Sequence, residues 1–213
     1  MDRFPWVIGG CLLLAASSAG CQQLPPAGGI SEIENARMNE EIDRQVGLAA
    51  ASAYGWNPDD VLVESLADTG DIRCRLLAVR SPGALPSHGR TWAVVDGEVI
   101  MPGTAGSLER VLGACDSVAT VDAWAEAVAA FGEGVPQGYV VRQTQEISTL
   151  AHRRAMEGPG YEFHPPRFVD GEDGARTVEF FLTDLEAAGL YHVRATRGAD
   201  GSIQVSSELL AES

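Results

Sequence analysis

Lysine is absent from this chain: its 15 basic residues are all arginine, against 30 acidic residues, for a formal net charge of −15. We read the missing lysine as a coding bias of a GC-rich genome. The acidic balance excludes nucleic acid as a partner. It also excludes electrostatic adhesion to anionic lipid, since both need basic patches. Long apolar runs are scarce as well. Only Trp6 to Ala16, about a dozen residues, is strongly hydrophobic, and a helix needs about 20 to cross a hydrocarbon core. Catalytic signatures are missing too. There is no G-x-S-x-G elbow, no C-x-x-C and no H-E-x-x-H, and no two of the 4 histidines stand at i, i+4.

What is present begins at the N-terminus. Arg3 precedes the apolar run, and small residues from Ala15 to Gly20 follow it. This is the layout of an export signal. Ala19, Gly20 and Cys21 close the segment. Two small residues and then cysteine resemble the lipobox of bacterial lipoproteins. That family most often carries Leu three residues before the cysteine, where this chain has Ser18. The resemblance covers only the first 21 residues. It implies cleavage between Gly20 and Cys21, thioether diacylglycerol on Cys21 and acylation of the new terminus, usually as palmitate. Two or three acyl chains hold a domain stably on a membrane, where one does so marginally. The competing reading is ordinary cleavage near Ala19, with Cys21 incidental.

Residues 21–30 then read as lipidated cysteine and tether, rich in Pro25, Pro26, Gly28 and Gly29. Gln22 stands where an inner-membrane retention signal would place Asp, which in some envelopes implies the outer membrane. Residues 31–213 are expected to form the globular domain, with a subdomain boundary or one long surface loop near 158–173. Removing Cys11 with the signal and lipidating Cys21 leaves Cys74 and Cys115. An even pair in an oxidising compartment points to a disulfide. Closing a loop of about 40 residues would stabilise by roughly 4 kcal/mol. The alternative is two separately buried thiols.

Pattern along the domain predicts interspersed helices and strands. Ser31 and Glu34 form a capping box ahead of a helix over 32–54, with Ile33, Met38, Ile42, Val46, Ala49 and Ala53 recurring. Val61 to Ala67 is a strand, or Asn57-Pro58-Asp59-Asp60 caps a short helix there. Asp71 to Arg80 is a second strand, joined at Thr69-Gly70. Thr91 to Val95 and Glu98 to Met101 flank Asp96-Gly97, a type I′ hairpin signal. Ser107 is expected to cap a helix with Leu108, Val111, Leu112 and Cys115 on one face. Thr120 caps another over Val121 to Phe131. Gly138 to Arg142 reads as a strand. Gln145 to Glu157 reads as a helix with Ile147, Leu150, Ala151 and Ala155 aligned. Arg176 to Thr183, Leu190 to Arg197 and Ser202 to Leu209 read as an antiparallel meander. The fold class is α+β, with a hairpin-rich antiparallel sheet, packed helices and a C-terminal β-meander.

Candidate chemistry is sparse. Gly103-Thr104-Ala105-Gly106-Ser107 leads into a helix, as an anion site would, but lacks the P-loop lysine, and a tight connection accounts for it. His152 in His-Arg-Arg reads as a solvated helix face, and His164 before Pro165-Pro166 as an exposed extended segment. His192 lies on a strand whose Tyr191 and Val193 face the other way. Ser81, Ser87, His88 and Asp96 are near in sequence only. The turn Asp170-Gly171-Glu172-Asp173-Gly174 lacks EF-hand spacing. Trp92 and Trp124 are expected in the core and Trp56 partly exposed. No metal, cofactor or catalytic residue is assigned.

The expectation is therefore a lipid-anchored envelope protein outside the cytoplasm. It would bind or scaffold an unknown envelope protein or ligand. An exported, hydrolase-like enzyme with a dispersed site is the alternative, and a purely structural component the third. An enzyme requires a concave pocket where His88 or His164 meets a carboxylate with a shifted pKa. A binding module requires an apolar patch or an open sheet edge, as on the C-terminal meander.

Overall fold

The computed structural model describes residues 32–66, 74–81, 83, 89–114, 120–147, 149–157, 161–170, 175–184 and 189–212. Helices and two antiparallel sheets make an α+β protein. The first sheet is a meander of β1 (Leu62–Ser65), β2 (Cys74–Arg80), β3 (Arg90–Val95) and β4 (Glu98–Ile100), in that spatial order. Asp96 and Gly97 turn the β3–β4 hairpin with φ of 51° and 80°, the left-handed pair that a type I′ turn needs. The ambiguity at Asn57 resolves as both alternatives in succession. Asn57 accepts from the Asp59 amide and caps a 3₁₀ turn, Pro58–Asp60, and β1 follows.

Helix α1 (Glu32–Tyr54) lies on one face of this sheet. Its C-terminal half carries the packing: Val46 and Ala50 meet Leu77, Val79, Trp92 and Val94. Ile33 and Met38, expected on the same stripe, are exposed. Arg75 ties the middle of α1 to the sheet through Asp43 at 2.9 Å. The opposite face of the sheet presents Cys74, Leu76, Ala93, Val95 and Ile100 to α2 (Ser107–Ala114) and α3 (Val121–Phe131). Buried on both faces, β2 and β3 lose the alternation that a half-exposed strand would show.

The second sheet closes the other side of α2 and α3. Its path is β5 (Gly138–Val141), β7 (Arg176–Asp184), β8 (Leu190–Arg197) and β9 (Ile203–Ala211). The strand β6 (Arg167–Asp170) pairs the N-terminal half of β7, beside β5 on its C-terminal half. The C-terminal meander follows the sequence expectation to within a few residues. Val140, Val178, Phe180, Leu182, Val193 and Ala195 face inward onto α3. That helix touches both sheets and is nearly apolar all round, as a helix between two sheets must be. Its alanines keep it thin: Ala125 and Ala127 are wholly buried. Thr120 caps it, accepting from the Ala123 amide.

Several expectations need correction. Ser107 does not cap α2; it is the first helical residue, and its hydroxyl donates to the Thr104 carbonyl. A 3₁₀ turn, Thr144–Glu146, precedes a shorter helix α4 (Leu150–Glu157). The buried face of α4 is His152 and Met156, and Ala151 is exposed. His152 is therefore not a solvated residue: it is wholly buried, with no hydrogen-bond partner for either ring nitrogen among the described residues. Part of the stretch read as boundary or surface loop, 161–170, is strand and packed wall. Trp92 and Trp124 are core residues and Trp56 is half-buried, as expected. The Ser31 cap, the Thr69-Gly70 turn, His88 and most of the Asp170–Gly174 turn lie outside the described residues.

Gly138 is where β5 crosses closest to β7. A Cβ there would sit 2.2 Å from the Thr183 carbonyl oxygen and 2.7 Å from Leu182 Cδ2. Backbone cannot rotate away as a side chain can, so Gly138→Ala must part the two strands. The expected loss is about 1–3 kcal/mol, a fall of roughly 3–10 °C in Tm by calorimetry. An unchanged Tm would mean that β5 is not held against β7.

Candidate functional site

The register of the second sheet builds the site. Along β7, Val178, Phe180 and Leu182 point inward, so Glu179 and Phe181 point outward. Antiparallel pairing sets Arg167 of β6 and Arg194 of β8 on either side of Glu179. In the next row, Phe181, His192 of β8 and Glu208 of β9 stand side by side. The inner face is filled by α3, and α4 covers only part of the outer one. Tyr161, Phe163 and His164, from the chain entering β6, roof the remainder. Together they line a cleft of about 730 Å³.

Glu179 anchors it. Its side chain is 9% exposed, and both carboxylate oxygens are held. Arg167 donates to Oε2 from Nη2 at 3.1 Å and from Nε at 3.3 Å. Arg194 Nε lies 2.9 Å from Oε1. His164 Nε2 stands 4.0 Å from Oε2. The other ring nitrogen, Nδ1, is 2.9 Å from the Pro165 carbonyl oxygen. A carbonyl only accepts, so Nδ1 carries the hydrogen. In the neutral ring, Nε2 then turns its lone pair toward Glu179. Rings pack around this centre: Phe181 lies 5.0 Å from His164 and 5.2 Å from His192, centroid to centroid. Tyr161 meets His192 edge-on and donates to Glu208. That carboxylate, accepting the phenol proton, pushes the Tyr161 pKa up.

His164, Glu179 and His192 each offer one ligand atom, all within 4.8 Å of one another. These are the described residues suited to hold a metal. The sequence assigned no metal, and it placed His164 and His192 apart. It placed Glu179 nowhere. One signal was legible: Glu179 is the one charge within the apolar run Val178 to Leu182. The neighbours it would meet depend on the β7–β8 register, which no local pattern specifies.

The remaining candidates fall elsewhere. Gly103 and Gly106 take φ of 73° and 69° in a tight connection to α2. Cys74 is wholly buried on the inner face of β2 and is not a free thiol. Its expected partner Cys115, and Gly20 and Cys21 of the expected processing site, lie outside the described residues. Of the features that separate binding from catalysis, the edge strand occurs at β9, and His164 stands beside the Glu179 carboxylate in a cleft, which meets the enzymatic criterion only in its geometry.

No family model, no curated protein and no solved structure matches this chain. The functional reading therefore rests on the cleft itself.

Burial lowers the His192 pKa, against the pull of the Glu179 carboxylate, which raises it. The unfolded chain, whose histidine titrates near 6.5, then takes up a proton that the fold resists. Above that pH both states are neutral and nothing is lost. Stability falls as pH drops through 6.5 and levels off below the folded value. Denaturant melts of chelator-treated protein are expected to lose stability between about pH 7.5 and about pH 5.5. His192→Gln should flatten that slope, and an equally steep slope in the variant would assign it to other groups.

Proposed function

We propose that this chain is a lipid-anchored protein of the bacterial cell envelope that binds a small zwitterionic ligand, an amino acid or short peptide, in the cleft of the second sheet. The observation that carries the binding reading is the convergence of both charge signs beside aromatic rings in one cavity. Arg167 and Arg194, each about half exposed, could engage a carboxylate. Glu162 and Glu208 offer acceptors for an ammonium group. Phe163, Phe181 and Tyr161 supply an apolar wall.

Location rests on Ala19, Gly20 and Cys21. No described helix is long and apolar enough to cross a membrane. The Cys74–Cys115 bridge belongs to the same reading. Leu108, Val111 and Leu112 of α2 share the cluster of Cys74, and Cys115 follows Val111 by four residues. An exported hydrolase ranks second. The lone pair of His164 Nε2 favours it, but among the described residues no serine, threonine or cysteine lines the cleft to act as nucleophile.

Two measurements test the proposal. The detergent-solubilised full chain is titrated with L-lysine, L-glutamate, dialanine, glucose and inorganic phosphate under amide NMR. Saturable shifts confined to 161–168, 177–182 and 190–208 are expected for the zwitterions, weakened by Arg194→Ala. No shifts, or equal shifts with glucose, would refute the ligand class. For the anchor, Cys21→Ser is expected to move the protein from membrane to soluble fractions and abolish acyl labelling. Unchanged fractionation with label retained would refute the anchor.

A further inference from the structure

We propose that His164, Glu179 and His192 bind a divalent transition-metal ion of the zinc class, which completes recognition of the cleft ligand. This rests on the reading of the cleft as a binding site. Two imidazoles and one carboxylate suit zinc and its neighbours; calcium and magnesium prefer oxygen alone. Around a tetrahedral ion at 2.0–2.1 Å, donors stand roughly 3.4 Å apart. The three donors are already within 4.8 Å. Closing the difference takes about 1 Å of movement. His164 can supply it, because it lies on irregular chain ahead of β6, while Glu179 and His192 are on paired strands.

The surroundings prepare these donors. Nδ1–H of His164 is committed to the Pro165 carbonyl, the outer contact that fixes a ligating tautomer. The two arginines hold the Glu179 carboxylate in orientation, Arg167 by two hydrogen bonds to Oε2 and Arg194 by an ion pair 2.9 Å from Oε1. Arg167 takes both lone-pair directions of Oε2, so the site left for an ion is on Oε1, which Arg194 meets as an ion pair. Charge agrees. Three glutamates against two arginines line the cleft, in a chain of net charge −15. Such a field gathers cations and repels free anions. Three protein ligands would leave a coordination position facing the cavity, open to water or to the amine or carboxylate of the bound zwitterion.

The test uses the detergent-solubilised full chain, stripped with chelator and desalted, titrated calorimetrically with Zn²⁺ and followed with Co²⁺ by visible absorption. One equivalent is expected, with a Co²⁺ ligand-field band. His164→Ala and His192→Ala should each weaken binding at least about tenfold and bleach the band. Should a variant lose its fold by circular dichroism, the wild type still decides: Zn²⁺ is expected to protect His164 and His192 from diethyl pyrocarbonate. No uptake of either ion by folded protein, full affinity in the double variant, or no protection would each overturn the site. Titrating amino acids into stripped and loaded protein separates the two readings. Cleft shifts in stripped protein that takes up no metal leave the ligand reading standing and end the metal proposal. Metal uptake with no amino-acid shifts in either form does the reverse.

Discussion

One helix lying between two sheets is the constraint on which the rest depends. Helix α3 packs against β3 on one side and against β5, β6 and β7 on the other. Its alanines let both sheets come close, and its large residues, Trp124 and Phe131, fill the core. Each sheet then has one face committed to the interior. The outer face of the first sheet is covered by the apolar half of α1. The outer face of the second is covered only in part, by α4 and the chain at 161–166. The uncovered part is where charge gathers. Glu179 can sit there because its carboxylate has two guanidiniums to meet; alone, its burial would carry a large desolvation cost.

Fold and site are therefore coupled through strand order. Arg167, Glu179 and Arg194 come from three neighbouring strands, and their row exists only because β6 and β8 flank β7. The strand β6 is short and was not anticipated, since its four residues carry no strong alternation. Pairing with the long, apolar β7 stabilises it. Arg176 stacks 3.9 Å from the Phe168 ring and further fastens that corner. Buried but unpartnered His152 shows the opposite arrangement. It fills space in α4 as an apolar residue would and has no polar role among the described residues.

Much of the fold was legible because it is locally encoded. Asp96-Gly97 admits the turn it makes, Thr120 caps α3, and the turn Gly198-Ala199-Asp200-Gly201 marks off the last two C-terminal strands. Errors arose where tertiary packing overrode local pattern. The stripe of α1 runs on through Ile33 and Met38, yet only its residues from Ile42 onward pack into the cluster on the sheet. Spacing aligns Ile147, Leu150, Ala151 and Ala155; Ile147 is buried, but within α4 packing chose His152 and Met156 over Ala151. A polar residue can occupy an apolar face when its neighbours leave the right volume, and no periodicity reveals that.

By itself, the sequence determined the α+β class, the order of most elements, the acidic charge, and the run of small residues and cysteine, Ala19, Gly20 and Cys21, on which the proposed anchor rests. These are properties of adjacent residues or of sums over the chain. Only the tertiary structure decided that the strands divide into two sheets around α3, and that His164, Glu179 and His192 meet. Those residues come from three segments, and their meeting depends on pairing register and on the path of the chain into β6. Register is set by which faces find a core, a property of the whole folded unit and not of any one segment.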